Sequence, residues 1–172
     1  VHIADVSHYV KEYSQIDQEA LRRGTSIYLA DRVIPMLPEK LSNGICSLNE
    51  GVVRLVLSCI MEFDKNGRII NSSIKSGYIK SKHRMTYSNV NKIFEGNEAL
   101  IKKYSDIYPM LLNMKDLSLL LRGIREERGG LDFDIKEMKI IVDEKGTPIN
   151  VESRERGLSE MMIEDFMLAA NE

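Results

Sequence analysis

Along residues 53–63 the apolar side chains occupy every second position: Val53, Leu55, Leu57, Cys59, Met61 and Phe63, with Arg54, Ser58 and Glu62 among the positions between them. A period of two puts the apolar set on one face of an extended chain, so the stretch is predicted to be a long, half-buried β-strand. Asp64-Lys65-Asn66-Gly67 supplies a tight-turn signal, and Ile70, Ser72, Ile74, Ser76 and Tyr78 continue as a weaker partner strand. A second hairpin is predicted from residues 138–142, a turn over 143–148 and a return over 149–151. The chain opens on another apolar run, Val1-His2-Ile3-Ala4-Asp5-Val6, which reads as a buried strand.

Between the hairpins the period changes. Met110, Met114, Leu117, Leu121 and Ile124 recur at spacings of four and three, one apolar stripe on a helix predicted over 105–128. Pro109 falls in its first turn, where a missing N–H is tolerated, and Gly129-Gly130 ends it. Shorter helices are predicted over 16–23, stopped by Gly24, and over 87–94. Ser159 reads as the N-cap of a last helix with Met162, Ile163, Phe166, Met167 and Ala170 on one face and Glu164 and Asp165 on the other, toward solvent. Residues 25–50, with Pro35, Pro38 and Gly44, are expected to hold only short strands and a helical turn near 39–43. Hairpins with helices gathered between and after them predict an α+β fold, antiparallel hairpins and a mixed sheet packed with helices.

With 172 residues, 43% of them hydrophobic, there is material for one sizeable core, hence one domain or part of one. An apolar strand already under way at residue 1 and a helix without a stop signal at residue 172 predict a single partial domain, truncated at both ends. The formal net charge of −2 removes the global basic field that often marks nucleic-acid binders. Cys46 and Cys59 lack any CxxC spacing, and no apolar run is of membrane length, which fits reduced core thiols in a cytoplasmic protein. His2, His8 and His83 match no zinc pattern, no serine sits in a nucleophile elbow, and the glycines have neither P-loop nor dinucleotide spacing. Composition and periodicity name no active site.

The wording of the segments is more specific. The opening Val1-His2-Ile3-Ala4-Asp5-Val6-Ser7-His8-Tyr9-Val10 is followed by Arg23-Gly24-Thr25-Ser26-Ile27-Tyr28-Leu29, Ile34-Pro35-Met36-Leu37-Pro38-Glu39 and Leu41-Ser42-Asn43-Gly44-Ile45-Cys46-Ser47-Leu48. Further on come Ser81 with Arg84-Met85-Thr86-Tyr87, then Arg128-Gly129-Gly130-Leu131-Asp132-Phe133 and Met162-Ile163-Glu164-Asp165-Phe166-Met167-Leu168-Ala169-Ala170-Asn171. In this order, across essentially the whole chain, the segments resemble the catalytic (RNB) domain of the ribonuclease II and ribonuclease R family. The Pro-Met-Leu-Pro-Glu and Leu-Ser-Asn-Gly-Ile-Cys-Ser-Leu wording leans toward the ribonuclease R branch.

The resemblance implies a processive 3′-to-5′ hydrolytic exoribonuclease that threads the 3′ end of single-stranded RNA into a channel and releases nucleoside 5′-monophosphates. It implies magnesium bound by aspartates that precede the first matching segment, so residues 1–172 would hold substrate and supply no principal metal ligand. It also implies separate cold-shock and S1-type RNA-binding domains in the parent protein. By motif, Tyr28 resembles the tyrosine that stacks on the terminal nucleotide and Phe133 the aromatic opposite it. Stacking suits a sequence-indifferent nuclease, since every base has a π-face. Tyr87 and Glu164 resemble the pair that favours RNA over DNA; a phenol and a carboxylate can both hydrogen-bond the 2′-hydroxyl that DNA lacks. On position alone each has an ordinary reading, a packed aromatic or a solvated acid, and only the motif order singles it out. Arg22, Arg23, Arg32, Arg54, Lys82, Arg84, Arg122, Arg125 and Arg128 are candidates to meet phosphates. The clamp reading makes a spatial demand: Tyr28, Phe133, Tyr87 and Glu164 should surround one hollow of nucleotide size. The rival reading is a catalytically silent RNB-like module that binds RNA or a protein without cutting.

Overall fold

The computed structural model describes residues 1–130, 137–144, 146–154 and 156–172. In chain order it contains strand β1 (His2–Ala4), helices α1 (Val6–Tyr9) and α2 (Gln15–Arg23), and the two-residue strands β2 (Ile27–Tyr28) and β3 (Val33–Ile34). A π-helical turn (Lys40–Ile45) leads to the long strands β4 (Val53–Phe63) and β5 (Ile69–Lys80). Helices α3 (Tyr87–Phe94), α4 (Glu98–Lys103) and α5 (Tyr108–Glu127) come next, then β6 (Glu137–Val142), β7 (Pro148–Arg154) and α6 (Leu158–Asn171). Among the described residues the named strands pair antiparallel, in sheets ordered β1-β4-β5, β2-β3 and β6-β7, with one isolated parallel bridge between Glu50 and Ser81, and the fold is α+β. Among the described residues no helix is long and apolar enough to cross a membrane.

Both predicted hairpins form. Leu57 pairs with Ser76 and Cys59 with Ile74, and Ile140 pairs with Val151 in the second hairpin. Gly67 closes the first turn at φ +73°, a left-handed conformation that costs an L side chain energy. An added Cβ there would lie 2.5 Å from Cδ1 of Ile124 and 3.2 Å from Cγ of Leu120, so the turn is wedged against α5. Gly67→Ala is therefore expected to lower stability by about 1–3 kcal/mol, read as a reduced urea midpoint with unchanged m-value.

The faces of the sheet depart from the sequence expectation. The most covered positions of β4 are Val56 and Ser58, at 1% and 7% exposure, whereas Val53 and Leu57 of the alternating apolar set stay open. On the Val56 face the Arg54 guanidinium donates to the carbonyls of Ser47 and Gly44, and Nδ1 of His2 on β1 lies 2.8 Å from the Ser58 hydroxyl. Strand β1 is likewise no buried strand, because it lies at the sheet edge and Ile3 is exposed.

The core sits among the helices. Val90 and Ile93 of α3, Tyr104 before α5, Leu111 of α5 and Met162 of α6 form one buried cluster, with Met85, Phe94, Leu100, Met114 and Phe166 against it. Each short helix is fixed by a side-chain cap. Ser14 accepts from the Asp17 N–H, Thr86 from Asn89 and Asn97 from Leu100, each relieving a helix-end donor that has no partner within its helix. The stripe on α5 is rotated from its predicted phase: Leu111 and Ser118 are buried, while Met110 is exposed. On α6, Met167 is exposed as well, and Ser159 is not the N-cap but a buried residue inside the first turn, the cap position being Gly157.

Candidate nucleic-acid site

Thr86 caps α3, so Tyr87 is its first helical residue, and its half-exposed ring opens onto a groove of about 690 Å³. The apolar wall comes from Met85, Val90, Leu111, Met114, Met162 and Ile163, residues of α3, α5, α6 and the segment leading into α3. Lys82, His83 and Arg84 supply a basic rim. An apolar wall beside an aromatic residue, with the Lys82 and Arg84 cations also lining the groove, suits a nucleotide: base toward the wall, phosphate toward the cations. The rim is partly neutralised. Lys82 Nζ lies 2.6 Å and His83 Nε2 2.9 Å from Oδ2 of Asp106. These hydrogen bonds, that of Lys82 first, hold the exposed Asp106 carboxyl down at about 2.

Helix α6 carries two acids with opposite fates. Glu164 is half-exposed, and its Oε2 accepts from Nη2 of Arg156 at 2.7 Å. Asp165 was expected to face solvent beside it, but it is only 3% exposed. Its Oδ2 accepts from the Ser118 hydroxyl at 2.6 Å and from Arg122 Nη2 at 2.7 Å, and its Oδ1 lies 3.3 Å from Arg125 Nη1. Arg122 also reaches the Met161 sulfur at 3.2 Å, and its buried Nε has no partner. Asp165 thus joins α5 to α6, and the signal for this was present in the sequence: Ser118, Arg122 and Arg125 follow one another at helical spacing on α5.

Tyr28 projects from the small β2–β3 hairpin, where Ile27 pairs with Ile34 and Tyr28 with Val33, and is 79% exposed. Phe133 lies outside the described residues. A second hollow, of about 530 Å³, opens between the β4–β5 turn and the C-terminal ends of α5 and α6, with Arg68, Arg125 and Arg128 in its wall. A third, of about 400 Å³, lies between α2 and the Pro35–Pro38 loop. Tyr28 and Glu164 line none of these three; Tyr87 lines the first alone. The described residues therefore do not by themselves gather the four motif positions around one hollow. Nor do three His, Cys, Asp or Glu side chains among the described residues come together to hold a metal ion.

The RNB domain family model matches residues 1–172, the whole chain. The chain is 54% identical over 172 residues to Ribonuclease R 1 of Lactococcus lactis, covering 100% of this chain and 21% of that protein. It is 50% identical over 173 residues to Ribonuclease R of Thermotoga maritima, covering 100% of this chain and 24% of that protein. Among solved structures, Mycoplasma genitalium RNase R in complex with ribose-methylated single-stranded RNA superposes with a TM-score of 0.88 at 39% identity, over 99% of this chain and 27% of that one. The chain thus spans about a quarter or less of the length of the relatives it matches. On the match along its full length, it belongs to the RNB domain family.

Proposed function

We propose that residues 1–172 are the substrate-holding part of the catalytic domain of a ribonuclease R-type enzyme, which hydrolyses single-stranded RNA processively from its 3′ end to nucleoside 5′-monophosphates. The observation that carries this reading is the 54% identity to a ribonuclease R maintained over all 172 residues. The Tyr87 groove supports it, with an apolar wall and a basic rim suited to base and phosphate. In this reading Tyr28 and Phe133 stack on the terminal nucleotide, and Tyr87 and Glu164 address the ribose hydroxyl. The magnesium that the resemblance implies would be bound by carboxylates outside residues 1–172. Cold-shock and S1-type domains in the parent protein and a cytoplasmic location complete the proposal.

The test uses the full-length protein, magnesium and matched RNA and DNA single strands. Stepwise release of mononucleotides from the 3′ end is expected for RNA; binding without release would point to a silent RNB-like module instead. Tyr87→Phe removes only a hydroxyl, and is expected to narrow the preference for RNA by about 3- to 10-fold, the value of one hydrogen bond of roughly 0.5–1.5 kcal/mol. Equal losses on RNA and DNA would instead mark Tyr87 as a packing residue.

A further inference from the structure

Helix α6 begins without a cap of its own: Gly157 occupies the cap position and makes no side-chain hydrogen bond to the helix. The missing acceptor arrives from α3. Oδ1 of Asn91 accepts from the Ser159 N–H at 2.9 Å, and Nδ2 of the same amide donates to Oε2 of Glu160 at 3.0 Å. In the other direction, the Ser159 hydroxyl lies 3.1 Å from the backbone carbonyl of Tyr87 and 3.0 Å from Glu160 Oε2, a donor to either. Ser159 is 1% exposed, so these bonds are largely shielded from competing water. Gly157 completes the arrangement by having no side chain. A Cβ there would lie 2.1 Å from Asn91 Nδ2 and 2.8 Å from its Cγ, displacing the amide that serves as the cap.

Two helical repeats give this contact its meaning. Tyr87 and Asn91 stand four residues apart on α3, and Glu160 and Glu164 four apart on α6, so each pair shares a helix face. The faces joined by Asn91 and Glu160 are therefore those that carry the two motif residues. We infer that Asn91, Ser159 and Glu160, with the space left by Gly157, form a lock between α3 and α6 that positions Tyr87, and through it sets how strongly the site prefers ribose to deoxyribose. The inference rests on the proposed ribose-contacting role of Tyr87 and assigns positioning roles to residues that contact no substrate themselves.

The experiment compares 3′-end digestion of matched RNA and DNA strands by full-length Asn91→Ala, Ser159→Ala and Gly157→Ala variants, with Tyr87→Phe alongside. A lock predicts that each of the three narrows the RNA-over-DNA ratio by about 3-fold or more, on the scale of one buried hydrogen bond. A merely structural contact would lower the melting temperature and both activities together, leaving the ratio in place. Rescue supplies the second arm. Asn91→Asp alone sets two carboxylates against each other, whereas Asn91→Asp combined with Glu160→Gln restores a donor facing an acceptor and should recover the ratio. If Tyr87→Phe narrows the ratio while the lock variants keep it, the positioning role is overturned and the site reading survives. If Tyr87→Phe leaves the ratio unchanged, both fall. A variant too unstable to assay is replaced by the rescue pair, whose failure to differ from Asn91→Asp also overturns the lock.

Discussion

Asp165→Ala in the full-length protein is expected to lower folding stability by about 3–5 kcal/mol, the range for deleting one partner of a buried ion pair. The size follows from what remains behind. Arg122, whose side chain is 13% exposed, would keep its charge in a site where Asp165 Oδ2 is its close ionic partner, and the Ser118 hydroxyl would lose its acceptor. Arg125, at 29% side-chain exposure, can turn toward water and contributes less. Replacing Asp165 and Arg122 together with apolar residues of similar volume should recover much of the loss, since the desolvation of two charges is then avoided. Chemical denaturation of the single and double variants checks both statements; a single-variant loss under about 1 kcal/mol would mean that water reaches the pair.

Tyr28→Ala is expected to act on product rather than fold. The ring is 79% exposed, so its removal empties no core and should leave the melting temperature nearly unchanged. If Tyr28 stacks on the terminal nucleotide, the truncation forfeits about 1–3 kcal/mol of base–aromatic contact. Short strands, which have the fewest other contacts, would be released first, and the final undegraded oligonucleotide should lengthen on a sequencing gel. An unchanged end product would remove Tyr28 from the clamp.

The long hairpin, the boundaries of α2 and α3 and the end of α5 were legible in the sequence because local signals agreed: alternation over 53–63, the Asp64–Gly67 turn, Gly24 at a positive φ and Gly129 after α5. What the pattern could not supply was which face would be covered. On the covered face of Val56 and Ser58, His2 of the neighbouring strand meets the Ser58 hydroxyl and Arg54 ties to the carbonyls of Ser47 and Gly44, tertiary contacts with no periodicity. The phase of α5 and the face of α6 were misread for a related reason. Hydrophobic stripes count apolar residues, but Ser118 and Asp165 are buried as mutual partners, and a polar pair satisfied across two helices looks like solvent exposure when each helix is read alone. Helices α1 and α4 were missed because four and six residues are too short for a period. Of the site, Tyr87 alone lines a described groove, and the lock built on Asn91 had no motif to announce it.

The Asp165 bridge also bears on how this surface would meet a polyanion under the proposed function. RNA affinity grows with the number of cations that displace condensed counterions from the phosphates, each contributing about 0.7 to the salt exponent on a single strand. Arg122 and Arg125 are among the candidate phosphate contacts, yet Arg122 is held at 2.7 Å by the buried Asp165 carboxylate and Arg125 lies 3.3 Å from it. A chain with a net charge of −2 spends part of its cationic complement on holding two helices together, so under the proposed function the electrostatic grip on RNA would be drawn from other residues.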